Sequence, residues 1–205
     1  MRISSNLVRL SLLGVLAVSV AACGDDGGTE NPEEVITTVT LTFTPMGGGT
    51  TVTASVDDPD GPGGNAPTID PVNLANGKTY ATTVRFLNKL ETPPEEITTE
   101  VMDESDVHQV FFTGTGVKGP ATSNTTGPLT HTYGDMDANG FPLGLTNTIV
   151  AATGTGPLTI TLRHMPPVND TPVKTGTLAD TVKTGGIAAL PGDTDVNVTF
   201  TATVQ

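Results

Sequence analysis

Two histidines lie where a transition metal could be bound. His108 begins a strand-like apolar run and follows an acidic stretch that contains Glu104 and Asp106. His164 ends a second run, in which apolar residues occupy alternate positions. If the ends of the two strands meet, imidazole nitrogens and one carboxylate could hold Zn²⁺ or Cu²⁺. The sequence therefore predicts a transition-metal site formed by His108 and His164 with Glu104 or Asp106.

The spacing of the histidines leaves a second interpretation open. No two of them share a tight motif such as His-x-His, and His131 lies on a further segment that alternates like a strand. The alternative is that His108, His131 and His164 are unrelated structural or surface residues. The two interpretations differ in whether the strand ends that carry the histidines come together.

An acidic loop that starts at Asp135 is a second candidate for a cation. Asp135, Asp137 and Asn139 offer oxygen ligands at alternate positions, and the sixth position is glycine, as in the first half of a calcium loop. The twelfth position is Thr146, where such a loop requires a bidentate glutamate. The alternative is a turn through Asn139 and Gly140 without a metal, because this dipeptide favours positive φ.

Residues suited to catalysis are few. Ser55, Ser105 and Ser123 lie outside any Gly-x-Ser-x-Gly motif. The glycines of segment 114–119 match a dinucleotide fingerprint, but Pro120 directly after them opposes the helix that the fingerprint requires. We therefore expect a protein that is not an enzyme and has no certain cofactor, with Zn²⁺ or Ca²⁺ as the ions to consider.

The single cysteine, Cys23, carries information about location. Arg2 and Arg9 precede an apolar run over 10–20, and the small residues Ala21 and Ala22 lead to Cys23. This order is typical of a secretory signal, and the apolar run is shorter than the ~20 residues of a transmembrane helix. The motif resembles the lipobox of bacterial lipoproteins, which implies cleavage before Cys23 and its lipidation. An ordinary signal peptide followed by a chance cysteine is the alternative.

The predicted organisation has three parts. They are a signal peptide over 1–22, a lipidated cysteine with a flexible acidic tether over 23–34, and a single β-sandwich domain over 35–205. The tether is rich in glycine and acids and has almost no apolar surface to bury, so we expect it to be flexible. The formal net charge of −13 argues against nucleic acid as a partner and favours cations or cationic partners.

Period-two alternation dominates the rest of the sequence. Mostly apolar residues occupy alternate positions in 35–43, 52–56, 80–86, 158–162 and 196–204, with threonine and asparagine between them. This pattern is typical of strands with one buried and one solvated face, which antiparallel sheets allow. Frequent glycine and proline supply turns. We predict an all-β fold, an antiparallel immunoglobulin-like β-sandwich, although the Cys-Trp-Cys core of true immunoglobulin domains is absent.

One segment departs from the strand pattern. After Pro94, the residues Ile97 and Val101 would share a helical face, and acids lie in the first turn. The sequence therefore predicts one short helix near 95–105.

The layout as a whole is similar to that of uncharacterised bacterial lipoproteins. The similarity is carried by the lipobox, the acidic tether, the threonine-rich sandwich and the segments 106–112 and 162–166. It implies a lipid anchor in the cell outer membrane, with the domain facing the periplasm or the surface. Two functions fit: a binding protein that captures a metal ion or small ligand at a His/acid cluster, or a non-catalytic structural or interaction module for an outer-membrane protein.

Overall fold

The structure is a computed structural model that describes residues 34–61 and 63–205. These residues fall within one compact unit of the chain. The predicted signal peptide, Cys23 and all of the predicted tether except Glu34 lie outside the described residues.

Eleven strands and three short helices make up the described part of the chain. The strands are β1 (Thr38–Pro45), β2 (Val52–Asp57), β3 (Thr68–Ile69), β4 (Val72–Leu74), β5 (Thr79–Leu87), β6 (His108–Thr113), β7 (Val117–Lys118), β8 (Leu129–Tyr133), β9 (Thr146–Ala151), β10 (Gly154–His164) and β11 (Asp193–Val204). The helices are α1 (Ile97–Asp103), α2 (Leu178–Gly185) and a 3₁₀ turn (Ile187–Ala189). The protein is mostly β, as the sequence predicts.

The strands form two sheets. The first has seven strands in the order β3-β2-β1-β5-β9-β8-β7, and the second has four in the order β4-β11-β10-β6. Most neighbours are antiparallel, but β4 pairs with β11 and β7 with β8 in parallel. The prediction of a wholly antiparallel arrangement is wrong at these two pairs, since short edge strands reached by longer connections can enter a sheet in either direction.

The core lies between the two sheets. Alternate residues of the strands face inward, because successive side chains of a strand point to opposite faces. The buried cluster contains, among others, Val39, Leu41, Phe43, Val84, Phe86, Val110, Phe112, Leu158, Ile160, Leu162, Phe200 and Ala202. Each alternating run that was predicted to be a strand contributes to this cluster, so the prediction of a two-sheet sandwich is supported by both the strands and the core.

Helix α1 closes one end of the sandwich. Ile97 and Val101, one turn apart, are its buried residues and belong to the core. Thr98 ties the helix to β5, because its hydroxyl accepts a hydrogen bond of 2.8 Å from the backbone N–H of Phe86. The short helix predicted near 95–105 is confirmed, and it places the acids that follow it beside the start of β6.

Helix α2 covers the outer face of the second sheet. Leu178, Ala179 and Val182 pack with Phe111 and Met165 in a second apolar cluster. Strand β6 is therefore buried on both faces, which explains why five successive residues from His108 onward are buried. No pattern in the sequence predicts α2, because the apolar face of this helix covers only two turns.

Candidate metal site

His108 and His164 are neighbours across the second sheet. Strand β6 begins at His108 and β10 ends at His164, and the two residues are directly paired. Their rings stack with centroids 4.7 Å apart and an angle of 15° between planes. Both are buried, with exposed fractions of 0% and 6%. The structure thus brings together the two histidines whose strands were expected to meet.

Glu104 joins the histidines as a third possible ligand. One donor atom from each of Glu104, His108 and His164 lies within 4.8 Å of the others. Ligands of one tetrahedral zinc ion, at 2.0–2.2 Å from it, are about 3.3–3.6 Å apart, so a separation of 4.8 Å must close by about 1.2–1.5 Å on binding. The Glu104 side chain is 42% exposed, which leaves it room to move and gives an ion access from solvent.

The tautomer of His108 follows from its contacts. Nδ1 lies 3.2 Å from the backbone oxygen of Glu104, which can only accept a hydrogen bond, so Nδ1 carries the proton and donates it. In a neutral imidazole the other nitrogen, Nε2, then bears a lone pair. Nε2 is buried and has no hydrogen-bond partner among the described residues. Burying a lone pair without a hydrogen bond costs free energy. A neutral imidazole with a free lone pair is also the form of histidine that binds metals.

The ring of His108 is held neutral. Burial lowers its pKa to about 4, and repulsion from the neighbouring His164 adds to the effect, against a smaller opposing contribution from the hydrogen bond to Glu104. At neutral pH no proton competes with a metal for Nε2, because protonation would require a pH near the lowered pKa.

A carboxylate that the sequence analysis missed faces this nitrogen. Oδ2 of Asp195 lies 3.8 Å from Nε2 of His108, and both side chains are buried. Leu162 of β10 pairs with Val196, and the next residue of β10 pairs with Thr194. Asp195 is therefore the extra residue of a β-bulge, a feature that redirects side chains near functional sites. The bulge cannot be read from the alternation of residues 196–204.

Two further acids lie at the edge of the cluster. A side-chain hydrogen bond joins Glu34 to Glu100, and Glu34 also experiences the negative charges of Asp195 and Glu104. Burial, together with this hydrogen bond and repulsion from the other acids, raises the pKa of Glu34 to about 7. At neutral pH the Glu34 carboxyl group is therefore partly protonated. The sequence analysis had assigned Glu34 to the tether.

Asp106 lies outside the group formed by Glu104 and the two histidines. It is exposed, and it lines a cavity of about 330 Å³ with Phe141 and Lys174. It does not belong to the group of mutually close donor atoms found among the described residues. Of the two acids proposed from the sequence, the fold places Glu104 near the histidines. Glu104 directly follows α1, as its C-cap residue, and lies four positions before His108.

The acidic loop is held by contacts within the protein. Asp135 accepts hydrogen bonds from the backbone N–H groups of Gly144 and Thr146 at 2.7 and 2.8 Å. Asp137 accepts two from the N–H groups of Asn139 and Phe141, both at 2.9 Å.

The buried ammonium group of Lys174 supplies the positive charge at this loop. Its Nζ lies 2.9 Å from Oδ2 of Asp137. Burial tends to raise the pKa of Asp137, but the hydrogen bonds from Lys174 and Phe141 lower it overall. This arrangement fits the alternative of a turn without metal better than it fits a calcium site at Asp135, Asp137 and Asn139.

His131 is a structural residue of the core. Its ring stacks on Phe112 with centroids 4.2 Å apart. Nε2 lies 2.9 Å from Oδ1 of Asn147, whose Nδ2 donates to the backbone oxygen of Gly144, so Nε2 is the donor. Burial lowers the pKa of His131 to about 4, despite this hydrogen bond. The interpretation as an unrelated structural histidine fits His131, whereas His108 and His164 are neighbours.

No helix among the described residues is both long enough and apolar enough to cross a membrane.

Comparison with protein-family models, with curated proteins and with solved structures finds no match. Inferences about function therefore depend on the residues and the geometry given above.

Proposed function

We propose that this chain is a lipid-anchored cell-envelope protein that binds a transition-metal cation at Glu104, His108 and His164, without catalysis. The observation that carries the proposal is the buried Nε2 of His108, which has a lone pair and no hydrogen-bond partner among the described residues. One donor atom from each of Glu104, His108 and His164 lies within 4.8 Å of the others. Oε2 of Glu104 lies 3.9 Å from Nδ1 of His108, so a cation held by Nε2 of His108 requires the Glu104 side chain to move, and its 42% exposure leaves room for this.

The donor set favours Zn²⁺ or Cu²⁺. Imidazole nitrogens suit zinc and copper, whereas calcium takes six to eight oxygen ligands. The side chains of His108 and Asp195 are buried, so a bound ion would be largely removed from water and held by directed contacts. The net charge of −13 would raise the local concentration of cations.

The anchor and the sandwich type are supported by separate observations. The lipobox-like residues that end at Cys23 support lipidation and an outer-membrane location. The two packed sheets support an immunoglobulin-like domain. In cells grown with a labelled fatty acid, we expect the wild-type protein to take up label and a Cys23→Ser variant to take up none. Equal labelling of the two would contradict the anchor and leave the metal site to be judged separately.

A metal titration tests the binding function. We expect Zn²⁺ or Cu²⁺ to raise the thermal unfolding temperature of the mature chain with Cys23→Ser. An ion at 100 times its Kd should add about 2.7 kcal/mol to the free energy of unfolding, equivalent to roughly 5–10 °C for a domain of this size. A His164→Gln variant should lose most of the shift, because it removes one of the three donors.

His131→Gln is the matched control for that titration. It changes the same residue type at a buried position, but His131 hydrogen-bonds to Asn147 and lies outside the group of metal donors. It should lower the unfolding temperature without metal and keep the metal-induced shift. An unchanged shift in His164→Gln, or no shift with any ion in the wild type, would contradict metal binding and favour the interaction module.

A further inference from the structure

The cavity of about 330 Å³ beside the acidic loop combines an apolar wall with a buried lysine. Its volume is at the small end of the range typical of ligand pockets, so it suits a small molecule. Lys174 and Asp106 are its charged residues. The apolar part of its wall consists of Val107, Phe141, Met165, Pro167 and Pro172.

The apolar wall of this cavity is held in place by the fold. Pro167 and Pro172 flank a tight turn that is closed by two backbone hydrogen bonds of 3.0 Å between Val168 and Thr171. The proline rings also fix φ at both positions. Met165 directly follows β10 and is buried. A wall that is already ordered lowers the entropy that is lost when a ligand binds.

Lys174 has one hydrogen-bond donor without a partner. The residue is only 4% exposed, and a lysine ammonium group has three N–H donors. Its Nζ lies 2.9 Å from Oδ2 of Asp137 and donates to the backbone oxygen of Ser105 at 2.6 Å. The part of the chain that the structure describes supplies no third partner. Because a buried donor without an acceptor costs free energy, a bound molecule with an oxygen atom near Lys174 would be stabilised.

The charges around the cavity favour a cation over an anion. Asp137 balances the charge of Lys174. Asp106 is exposed, and none of the ion pairs formed within the described ranges includes it. The wall therefore has one negative charge without a partner, in a chain whose formal net charge is −13. Both charges attract an ammonium group and repel a carboxylate.

We propose that this cavity binds a small organic ammonium ion that has an apolar body and an oxygen able to accept a hydrogen bond. The body would pack against Phe141, Met165 and the two prolines. The oxygen would accept the third N–H of Lys174, and the ammonium group would pair with Asp106. The site is distinct from the proposed metal site, because its lining contains none of the three metal donors.

Nuclear magnetic resonance titration of the mature chain with Cys23→Ser, with EDTA present to remove metal ions, tests the class of ligand. The probe is leucinol, which has an ammonium group, a hydroxyl group and an isobutyl body. Two analogues differ from leucinol at one group each. In the deaminated alcohol, hydrogen replaces the ammonium group, and in the deoxy amine, hydrogen replaces the hydroxyl group.

We expect leucinol to shift the amide signals of Val107 and Phe141 in a saturable manner. Its Kd should be at least about tenfold lower than that of the deaminated alcohol, because the analogue loses the charged contact with Asp106. The Kd of the deoxy amine should be about threefold higher than that of leucinol, since it cannot accept the N–H of Lys174.

A substitution at Asp106 tests the position of the ammonium group. Asp106→Asn should raise the Kd of leucinol about tenfold and leave the Kd of the deaminated alcohol unchanged. The matched control is Asp103→Asn, which removes the same charge at an exposed position of α1 outside the cavity lining. It should change the Kd of leucinol less than twofold, so that a general charge effect is separated from direct pairing.

Three results would overturn the inference. They are the absence of a saturable shift with leucinol, equal Kd values for leucinol and the deaminated alcohol, and equal binding of leucinol by the wild type and Asp106→Asn. Because EDTA removes metal ions from every sample, these results are independent of whether the chain binds Zn²⁺ or Cu²⁺.

Discussion

Gly192→Ala is expected to lower the free energy of unfolding by about 2–5 kcal/mol. Gly192 has φ +73°, and a Cβ at this position would overlap the backbone oxygen of His164 and lie 2.8 Å from Cα of Met165. A left-handed conformation costs an L residue roughly 1–2 kcal/mol. Overlap with backbone atoms adds roughly 1–3 kcal/mol, because the chain has to shift.

The loop around Gly192 cannot move away easily. The guanidinium group of Arg163 donates to the backbone oxygens of Leu190 and Pro191 at 3.0 and 2.7 Å, and also to that of Gly192. It further donates to the hydroxyl of Thr194 at 2.8 Å. The overlap would therefore displace the end of β10 that carries His164, and we expect Gly192→Ala to weaken the proposed Zn²⁺ binding as well.

Gly77→Ala is the matched control for Gly192→Ala. Gly77 has φ +74°, but a Cβ there would have no neighbour within 4 Å. Gly77→Ala should lower the free energy of unfolding only by the cost of the left-handed backbone conformation, about 1–2 kcal/mol, and leave the Kd for Zn²⁺ unchanged. Urea unfolding measures both variants. Equal losses of stability for the two would show that contact with His164 is not the cause.

Asp137→Asn is expected to cost about 3–5 kcal/mol of the free energy of unfolding. The substitution keeps the shape of the side chain and removes the charge that balances the buried ammonium group of Lys174, 2.9 Å away. Breaking a buried ion pair on one side typically costs this much, because the remaining charge is buried without compensation. The hydrogen bond of 2.6 Å from Lys174 to the backbone oxygen of Ser105 remains and limits the loss.

The pH dependence of Asp137→Asn gives a second measurement. Burial already lowers the pKa of Lys174, against the opposing effect of Asp137. Without Asp137 the pKa of Lys174 in the folded state should fall further below its value in the unfolded state. At pH values between these two pKa values, the unfolded state binds more protons than the folded state. Stability then rises with pH across that window. The deficit relative to wild type should therefore shrink as the pH rises toward the unfolded pKa of lysine.

The double variant Asp137→Asn with Lys174→Met controls for the loss of contacts. It removes both charges, so its cost should be smaller than the sum of the two single substitutions, with a coupling of about 1–3 kcal/mol. Additive costs with no dependence on pH would show that the pair does not stabilise the fold through charge.

The strands could be predicted because local patterns determine them, and period-two alternation places His164 on the same face as Leu162. The sequence left open whether His108 and His164 meet, because this depends on the pairing of β6 with β10, which are far apart in the chain. The helix after Pro94 could be predicted for a similar reason, since Ile97 and Val101 are one turn apart. These predictions needed only the repeat of a strand or a helix.

The remaining features depend on contacts between distant parts of the chain. Lys174 lies 37 positions after Asp137, so no local pattern linked its ammonium group to the acidic loop. Asp195 reaches the site through a bulge, which changes the register of β11 without a sequence marker. Glu34 was placed in the tether by composition, although its neighbour two residues on is a core residue.

The bulge at Asp195 has an evolutionary consequence. From Val196 onward β11 keeps a regular pairing with β10, so a one-codon deletion at the bulge would leave the apolar layer intact and withdraw one carboxylate from His108. A matching insertion would restore it. The affinity of the proposed metal site could therefore be acquired, tuned or lost by single insertions and deletions, while selection on the rest of the scaffold stays undisturbed.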